Sequence, residues 1–267
     1  MAWVDAAPRT VAGVLRDAAF VAEVLPSAGH RLGRVSGRWL SAGDTGSVWL
    51  RVLPGIRLPF RFTVRAARPD EVAVDLLALT LVMKLVPEGT GTSVHDEVRG
   101  RPARPLRWLL RRRLPELRAT CAELLVAWAA ELATRRVVVA TALLREGTVL
   151  AAQRTRPPTL AGRWELPGGR VEQGESETDA VVRECREELG CAVTPGGRVG
   201  TDLFIDAGVL RVHAATLIAG STPVPLEHAA IRWVATDELE GIDWVDADHA
   251  ILPDLRTLLS TRPSRAL

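Results

Sequence analysis

The chain has 267 residues and exceeds the usual size of one domain, so its length predicts two domains of about 130 residues each. Hydrophobic residues make up 47% and charged residues 25%, which excludes a disordered or fibrous protein. The formal net charge of +2 excludes, on bulk electrostatics, a protein that binds a nucleic acid polymer. Three cysteines are too few for a disulfide framework and lack zinc-site spacing, which predicts a reducing, cytoplasmic compartment.

The first half of the chain combines helical and strand-like segments. A short strand near Trp3 precedes a predicted helix from Arg9 to Leu15. Strand-like runs follow at 45–53, 60–66, 71–76, 79–87 and 92–99, an order typical of an α+β fold. Apolar runs such as 76–83 are far shorter than the ~18 residues of a membrane span, and the N-terminus lacks an export pattern. We therefore expect neither membrane insertion nor export.

A long amphipathic helix is predicted to close the first half, from Pro105 to Leu132. Apolar residues recur there at intervals of three and four, for example at Leu110, Leu114 and Leu117. Pro115 lies inside this pattern and removes one backbone hydrogen bond, which predicts a kink or a break into two helices near Arg112.

Three features of the first half resemble the helix-grip family of polyketide-cyclase-like (SRPBCC) domains. They are the opening run from Val4 to Val11, the later Val24-Leu25-Pro26, and the closing amphipathic helix. The resemblance implies a domain over 1–134 in which an antiparallel sheet wraps a long C-terminal helix around an apolar cavity. It also implies an apolar small molecule as ligand, and a filled core serving as scaffold or dimer contact is the alternative. The sequence carries no indication of oligomeric state.

The second half begins near Arg135 and opens on two strand-like runs, 137–144 and 149–152, joined by a turn that contains Gly147. No linker rich in proline, glycine and serine separates the halves. We therefore assign a second domain to 135–267.

A spaced signature of glycine, glutamate and arginine lies between residues 169 and 191. Gly169 is followed after five residues by Glu175, and after seven more by Arg183-Glu184-Cys185-Arg186-Glu187-Glu188-Leu189-Gly190-Cys191. Ser176 suits a helix N-cap and Gly190 a left-handed C-cap, which predicts a helix from about Glu177 to Leu189.

The carboxylates of Glu184, Glu187 and Glu188 share one face of that predicted helix, because they are spaced i, i+3 and i+4. Clustered carboxylates repel one another unless a cation joins them, and hard oxygen ligands favour Mg²⁺, with Mn²⁺ as a substitute. The alternative is a solvated helix face with ion pairs to arginines. The glycines that precede the helix favour the metal site, because they let backbone approach a metal or phosphate closely.

The signature matches the Nudix box, GX5EX7REUXEEXGU, at every fixed position, and Arg163 to Glu172 resembles the MutT-like branch of that family. The resemblance implies an α/β/α sandwich with a mixed sheet, which hydrolyses a nucleoside triphosphate to the monophosphate and pyrophosphate. It implies that the Gly168 carbonyl is a metal ligand and that Glu184, Glu187 and Glu188 hold metal and orient water. Arg183 then braces Glu175, and the identity of the general base stays open.

Further site residues follow from the same resemblance. Glu227, six positions before Trp233, is a candidate metal ligand or base, whereas its neighbour His228 is expected at the surface. Asp248 takes the position that touches the nucleobase, and as an acceptor it suits the cytosine amino group, with helix capping as the alternative. Arg154 and Arg170 are placed to bind phosphate, for which the planar guanidinium is suited.

The sequence therefore predicts a nucleotide pyrophosphohydrolase that leans to CTP, dCTP and modified nucleotides, as in sanitation of the nucleotide pool. Two enzyme alternatives act on other substrates, 8-oxo-dGTP or ADP-ribose. A third alternative is a sensor that binds a nucleotide and an apolar ligand without turnover.

Overall fold

The computed structural model describes residues 2–101 and 104–261, and the chain divides into two compact units. The N-terminal unit comprises residues up to 134 together with 201–204, and the C-terminal unit comprises 135–200 and the residues from 205 onward. No helix within the described parts of the chain has the length and apolar character to cross a bilayer.

The N-terminal unit is built on a seven-stranded sheet with the order β1-β7-β6-β5-β4-β3-β2, in which all neighbours are antiparallel. Its strands are β1 (Ala2–Val4), β2 (Arg31–Val35), β3 (Thr45–Leu53), β4 (Ile56–Arg68), β5 (Glu71–Leu76), β6 (Leu79–Glu88) and β7 (Gly91–Gly100). β3 and β5 have the predicted bounds. The sequence does not predict the edge strand β2, because a glycine at its centre interrupts the alternation of apolar and polar residues.

Helices cover one face of this sheet. They are α1 (Pro8–Leu15), α2 (Ala18–Val24) and α3 (Arg104–Ala133), with a 3-10 turn at Leu25–Ala28. Pro8 starts α1 at a position where a missing N–H costs nothing, and the Asp17 carboxylate caps α2 by accepting from Ala19 N at 2.8 Å. The buried side chains of Val11, Phe20 and Leu125 join these helices to the core.

The long helix α3 continues through Pro115. Of the two expected outcomes, division into two helices near Arg112 is not found. A proline removes one hydrogen bond and costs about 3 kcal/mol in a helix interior. We attribute the continuity of α3 to the turns after Pro115, where Leu125, Ala129 and Leu132 are buried in the core.

The C-terminal unit contains a six-stranded mixed sheet with the order β10-β9-β8-β12-β11, and β13 pairs with β9. Its strands are β8 (Val137–Arg145), β9 (Thr148–Gln153), β10 (Trp164–Glu165), β11 (Val193–Ile205), β12 (Gly208–Leu217) and β13 (Ala230–Ala235). β12 runs parallel to β8, whereas β9 is antiparallel to β8, β10 and β13. The mixed sheet expected from the sequence is therefore present.

Three helices accompany this sheet, namely α4 (Glu177–Leu189), α5 (Asp246–His249) and α6 (Leu252–Thr261). α4 packs its buried stripe against the sheet in one cluster that includes Val139, Leu143, Leu150, Ala180, Val181, Cys185 and Leu189. The loop between β10 and α4 holds the paired glycines, so the sheet and α4 together position the residues of the signature.

Candidate active site

Helix α4 is fixed at both ends by its own sequence. Ser176 Oγ accepts a hydrogen bond from Asp179 N at 3.1 Å and so caps the first turn. Gly190 adopts the left-handed conformation, with φ of 61°, and its N–H donates to the Arg186 carbonyl at 3.1 Å. The helix has the bounds that the sequence predicts, Glu177–Leu189.

The three glutamates of α4 differ in their exposure to solvent. Glu184 borders the buried stripe and is only 9% exposed, whereas Glu187 faces solvent and Glu188 is partly buried. The carboxylates therefore lie along a boundary between the core and the surface, where water and a polar substrate can reach them.

Arg183 links the glutamates of the signature. Its Nε and Nη2 donate to the two oxygens of Glu175 at 2.9 and 3.0 Å, a bidentate pair. Its Nη1 donates to Glu184 Oε1 at 2.8 Å and to Glu187 Oε2 at 3.0 Å. Nη2 also donates to the Arg170 carbonyl at 2.9 Å, which ties the helix to the preceding loop. One guanidinium therefore orients two carboxylates that share a helix face.

The paired glycines are required by close backbone approach. A Cβ on Gly168, whose φ is 156°, would lie 2.1 Å from the Val139 carbonyl oxygen, and one on Gly169 would lie 2.2 Å from Glu184 Oε1. The Gly168 N–H donates to Glu188 Oε2 at 2.9 Å. Any side chain at either position would push the loop off strand β8 or off the glutamates.

Hydrogen bonds hold this loop against β8. Val139 N donates to the Gly169 carbonyl at 2.8 Å, Thr141 N to the Pro167 carbonyl at 2.8 Å, and Val171 N to the Val137 carbonyl at 3.0 Å. The loop thus occupies the edge of β8 much as a further strand would.

Burial makes two carboxylates of this site harder to ionise. Burial raises the pKa of Glu188 to about 7, and the charges of Glu184 and Glu165 act in the same direction. Burial also raises the pKa of Glu184, against the hydrogen bond and charge of Arg183, which lower it. A cation that binds nearby lowers the pKa of such a carboxyl group and so returns it to the ionised form.

This donor set suits a hard divalent cation. Carboxylate oxygens and a backbone carbonyl are the ligands that Mg²⁺ and Mn²⁺ take, and a bound cation would offset the cost of ionising Glu184 and Glu188. Over residues 2–101 and 104–261, no three His, Cys, Asp or Glu side chains already converge as metal ligands do. Arg183 instead holds one oxygen each of Glu184 and Glu187.

A second polar cluster, made of Arg154, Glu165, His228 and Asp248, lies outside the signature. Arg154 Nη1 forms an ion pair with Glu165 Oε2, and His228 Nε2 lies 3.2 Å from Glu165 Oε1. Burial lowers the pKa of His228, but the hydrogen bond that it donates to Glu165 and the charges of Glu188 and Glu165 raise it above its usual value on balance. Leu226 N donates to the Glu188 carbonyl at 2.9 Å, so the segment that carries His228 is joined to α4.

Asp248 is the most buried acid of this cluster, at 4% exposure. Its Oδ2 accepts from Leu166 N at 3.2 Å, whereas its Oδ1 is buried and has no hydrogen-bond partner among the residues that the structure describes. Burial raises the pKa of Asp248 to about 8, and the charge of Glu165 adds to this. The side chain is therefore protonated at neutral pH and can donate as well as accept.

Arg154, Arg170 and Glu227 are the remaining residues that the sequence predicts for the site. The carboxylate of Glu227 is exposed and lies 3.6 Å from Arg156 Nη2, while the next residue, His228, is the one turned inward, against expectation. The Arg170 side chain is exposed, and Arg154 is engaged by Glu165 and by the Arg156 carbonyl. Arg154, Arg170 and Glu227 as ligands of substrate or metal therefore stay predictions.

No motif in the sequence singles out Glu165, although the structure places it at the centre of the second cluster. The available signal is its position in β10, directly before the glycine loop. β10 pairs with β9, so Glu165 lies opposite Ala152 in a part of the sheet where most side chains are apolar. An acid at such a position is costly unless it has partners.

The C-terminal half of the chain is similar to known proteins. The family model of the NUDIX domain matches residues 134–257. A putative 8-oxo-dGTP diphosphatase 2 of Mycobacterium tuberculosis is 48% identical over 128 residues, which cover 46% of this chain and 90% of that protein. The CTP pyrophosphohydrolase of Escherichia coli is 35% identical over 135 residues, covering 48% of this chain and 96% of that protein.

A solved structure, that of the E. coli ORF135 protein, is 34% identical and covers 48% of this chain and 94% of that protein, with a TM-score of 0.41. The match to the M. tuberculosis and E. coli relatives covers nearly their whole length. It agrees with the assignment from the signature, its helix and the glycine loop. Through its C-terminal half, the chain belongs to the Nudix family of hydrolases.

Proposed function

We propose that the C-terminal unit hydrolyses a nucleoside triphosphate to the monophosphate and pyrophosphate, with Mg²⁺ as cofactor and Mn²⁺ as a substitute. The observation that carries this proposal is the arrangement of Glu184 and Glu187 under one Arg183 guanidinium, beside a glycine loop that leaves no room for side chains. Pure nucleotide binding would not need this concentration of acids.

We assign the cation to Gly168, through its carbonyl, and to the carboxylates of Glu184, Glu187 and Glu188. When bound, a divalent cation supplies an activated water and neutralises charge that develops on the phosphates. Arg183 holds Glu184 and Glu187 in place and Glu175 fixes Arg183 in turn. The proton acceptor is one of the glutamates of this site, and Glu227 is a further candidate.

Cytosine nucleotides are the substrates that we propose. A protonated Asp248 can accept a hydrogen bond from the cytosine amino group and donate one to the ring nitrogen beside it. The 35% identity to the E. coli CTP pyrophosphohydrolase supports this choice, whereas the 48% identity to the putative 8-oxo-dGTP diphosphatase 2 supports 8-oxo-dGTP as the alternative. We propose sanitation of the nucleotide pool, in the cytoplasm, as the role of this activity. The three free cysteines are consistent with that compartment.

A substrate panel tests the reaction and the base preference together. The purified chain is incubated with Mg²⁺ and CTP, dCTP, 5-methyl-dCTP, 8-oxo-dGTP, dGTP, ATP or ADP-ribose, and pyrophosphate and monophosphate are measured. We expect CTP or dCTP to be cleaved fastest. Glu187→Gln should lose activity by about a hundredfold or more, the scale on which removal of one catalytic group acts.

The matched control is Glu123→Gln, another exposed glutamate on a helix, which should retain full activity. Preference for 8-oxo-dGTP would overturn the cytosine assignment and keep the reaction. Cleavage of ADP-ribose alone would move the chain to another branch of the family. No turnover of any substrate would favour a sensor.

We propose a second function for the N-terminal unit, the binding of an apolar small molecule. The observation that favours it is a cavity of about 430 Å³, a volume in the range of ligand sites, lined almost wholly by apolar side chains that include Leu15, Phe20, Val64, Leu117 and Cys121. The antiparallel sheet, packed against the 30-residue helix α3, supports the helix-grip assignment.

A neutral fluorescent probe, N-phenyl-1-naphthylamine, tests this cavity in the full chain. Ala122 lines it, so Ala122→Phe should fill part of the volume and weaken probe binding about tenfold. Ala127→Phe, on an exposed position of the same helix, should leave binding unchanged. Equal probe binding by both variants would show that the cavity is not the binding site.

A further inference from the structure

The hairpin of β3 and β4 extends beyond the rest of the N-terminal sheet. β5 ends at Leu76, which pairs with Phe62, so the part of β4 from 56 to 61 has only β3 beside it. The turn closes at Leu53 and Ile56 around Pro54 and Gly55. We name residues 49–61 the hairpin arm.

The hairpin arm exposes large apolar side chains. Trp49 is 41%, Leu53 55%, Ile56 48% and Leu58 46% exposed to solvent. Three of the four are aliphatic, and two of those three form the turn itself. A group of exposed apolar side chains at one protruding tip is unusual for a surface in contact with water alone.

Next to this tip lie arginines for which the described part of the chain provides no acidic partner. Arg51 and Arg57 are directly opposite each other across the two strands, a like-charge pair that destabilises a sheet. The Nε of Arg51 is buried without a hydrogen-bond partner among the described residues, and Arg61 is exposed. No aspartate or glutamate occurs between Asp44 and Asp70.

The positive charge of these arginines also affects the pKa of a neighbouring histidine, His30. Burial lowers the pKa of His30, and the charges of Arg113, Arg51 and Arg57 lower it further. His30 Nδ1 accepts from Arg51 N at 3.0 Å, so the histidine lies at the base of the hairpin arm. Arg113 is paired with Glu116 at 3.1 Å, but no carboxylate pairs with Arg51 or Arg57 among the described residues. The potential at these two arginines is therefore positive and favours an anionic partner from outside the chain.

We propose that the hairpin arm docks the protein on a bilayer rich in anionic phospholipid. Leu53, Ile56 and Leu58 would enter the interface between headgroups and acyl chains, with Trp49 at headgroup level. Arg51, Arg57 and Arg61 would meet the lipid phosphates. The contact is peripheral and requires no membrane-spanning segment.

The aliphatic tip favours a lipid surface over single-stranded nucleic acid. Nucleic acid binding of this kind relies on aromatic side chains that stack on bases. Of the two aromatic side chains in the hairpin arm, Trp49 is exposed, whereas Phe60 packs against the core cluster of this sheet. Leucine and isoleucine at the outermost positions gain nothing from bases. A lipid surface uses both the arginines and the aliphatic side chains.

Vesicle co-sedimentation of the full chain tests the proposal. Vesicles of phosphatidylcholine with 30 mol% phosphatidylglycerol should pellet the protein at low salt, and vesicles of phosphatidylcholine alone should not. The double variant Leu53→Ser/Ile56→Ser should lower the bound fraction at least fivefold. Arg61→Gln should lower the partition coefficient about fivefold, the effect of removing one arginine from a lipid surface.

Each variant has a matched control on the same protein. Arg65→Gln lies on the same strand as Arg61, but Arg65 is already paired with Asp75 at 2.8 Å, so its removal should leave vesicle binding unchanged. Ile218→Ser removes an aliphatic side chain that is 47% exposed in the C-terminal unit and should also have no effect. Unchanged circular dichroism and pyrophosphate release show that the variants are folded.

Three results would overturn the proposal. They are no binding to either vesicle, equal binding to both vesicles, and tight binding of a single-stranded oligonucleotide that depends on Arg61 but not on Leu53 and Ile56. Equal losses for Arg61→Gln and Arg65→Gln would also contradict it, since bulk charge would then explain the binding.

Discussion

Asp248 shows how burial changes what a single carboxyl group can do. The sequence suggests an ionised acceptor, but the pKa of about 8 keeps the folded side chain protonated at neutral pH. An unfolded Asp ionises near its ordinary pKa, so the folded state binds the extra proton between these two values. Stability conferred by this group therefore falls as pH rises from about 4 to 8.

We expect Asp248→Asn to remove this pH dependence. Between pH 6 and pH 9 the free energy of unfolding of the variant should rise by about 3 kcal/mol relative to that of the natural chain, because the amide cannot ionise. Urea unfolding at both pH values measures the difference. Parallel pH profiles for the two proteins would mean that Asp248 is already ionised in the fold.

Arg183 illustrates a different point at the residue scale, namely what spacing can and cannot predict. The positions of Glu184, Glu187 and Glu188 on one helix face follow from helix periodicity alone. Their hydrogen-bond partners do not, because the hold of Arg183 on Glu184 and Glu187 depends on side-chain rotamers that the whole site selects. For the same reason the inward turn of His228, rather than Glu227, was not predictable.

The first turn of α4 carries a charge cluster that stabilises the helix. Glu177 forms ion pairs with Arg211 and with Arg198 at 3.4 Å, and its Oε2 lies within hydrogen-bond distance of His213 Nε2 at 2.8 Å. The hydrogen bond from His213, together with those arginines and against desolvation, lowers the pKa of Glu177 to about 2. The resulting stability is complete above the ordinary pKa of 4.5 and is lost as pH falls from there to about 2.

Glu177→Gln should therefore destabilise the C-terminal unit by about 2 kcal/mol at pH 7, after allowance for solvent screening. The deficit should shrink as pH falls below 4.5 towards 2, where the natural glutamate is itself protonated. Denaturant titrations over that range check this. Glu172→Gln, at an exposed position of the preceding loop, is the control and should not reproduce the deficit at pH 7.

Elements with strong local signals were predicted well, and elements without them were not. β3, β5 and α4 have the predicted bounds because alternation or helix caps mark both of their ends. β2 and α2 are short, and their pattern is interrupted by glycine or alanine, so only tertiary packing defines them. Pro115 shows the reverse case, in which packing outweighs a strong local signal against helix.

At the scale of the whole molecule, the net charge of +2 conceals an uneven distribution. Residues 1–134 hold 19 of the 34 lysines and arginines and 13 of the 32 acids, and residues 135–267 hold the other 15 and 19. The net charge of the whole chain therefore hides the basic excess of residues 1–134. The net charge of each unit, rather than that of the whole chain, indicates which charged partners it can bind.

We expect the natural chain to be retained at pH 7.5 and low salt by both a cation exchanger and an anion exchanger. The basic excess of residues 1–134 binds the first resin, and the acidic excess of residues 135–267 binds the second. Arg57→Gln/Arg61→Gln should elute earlier from the cation exchanger and unchanged from the anion exchanger. Free passage through either resin would contradict this distribution.

The attachment of the glycine loop to β8 has a consequence for its motion. Amide groups that are hydrogen-bonded in a sheet exchange with solvent only when that part of the sheet opens. Val139, Thr141 and Val171 donate the bonds that join loop and strand, so their exchange should be as slow as that of the sheet interior, with or without metal. The loop is then preorganised, and catalysis begins from a backbone that no longer has to be ordered.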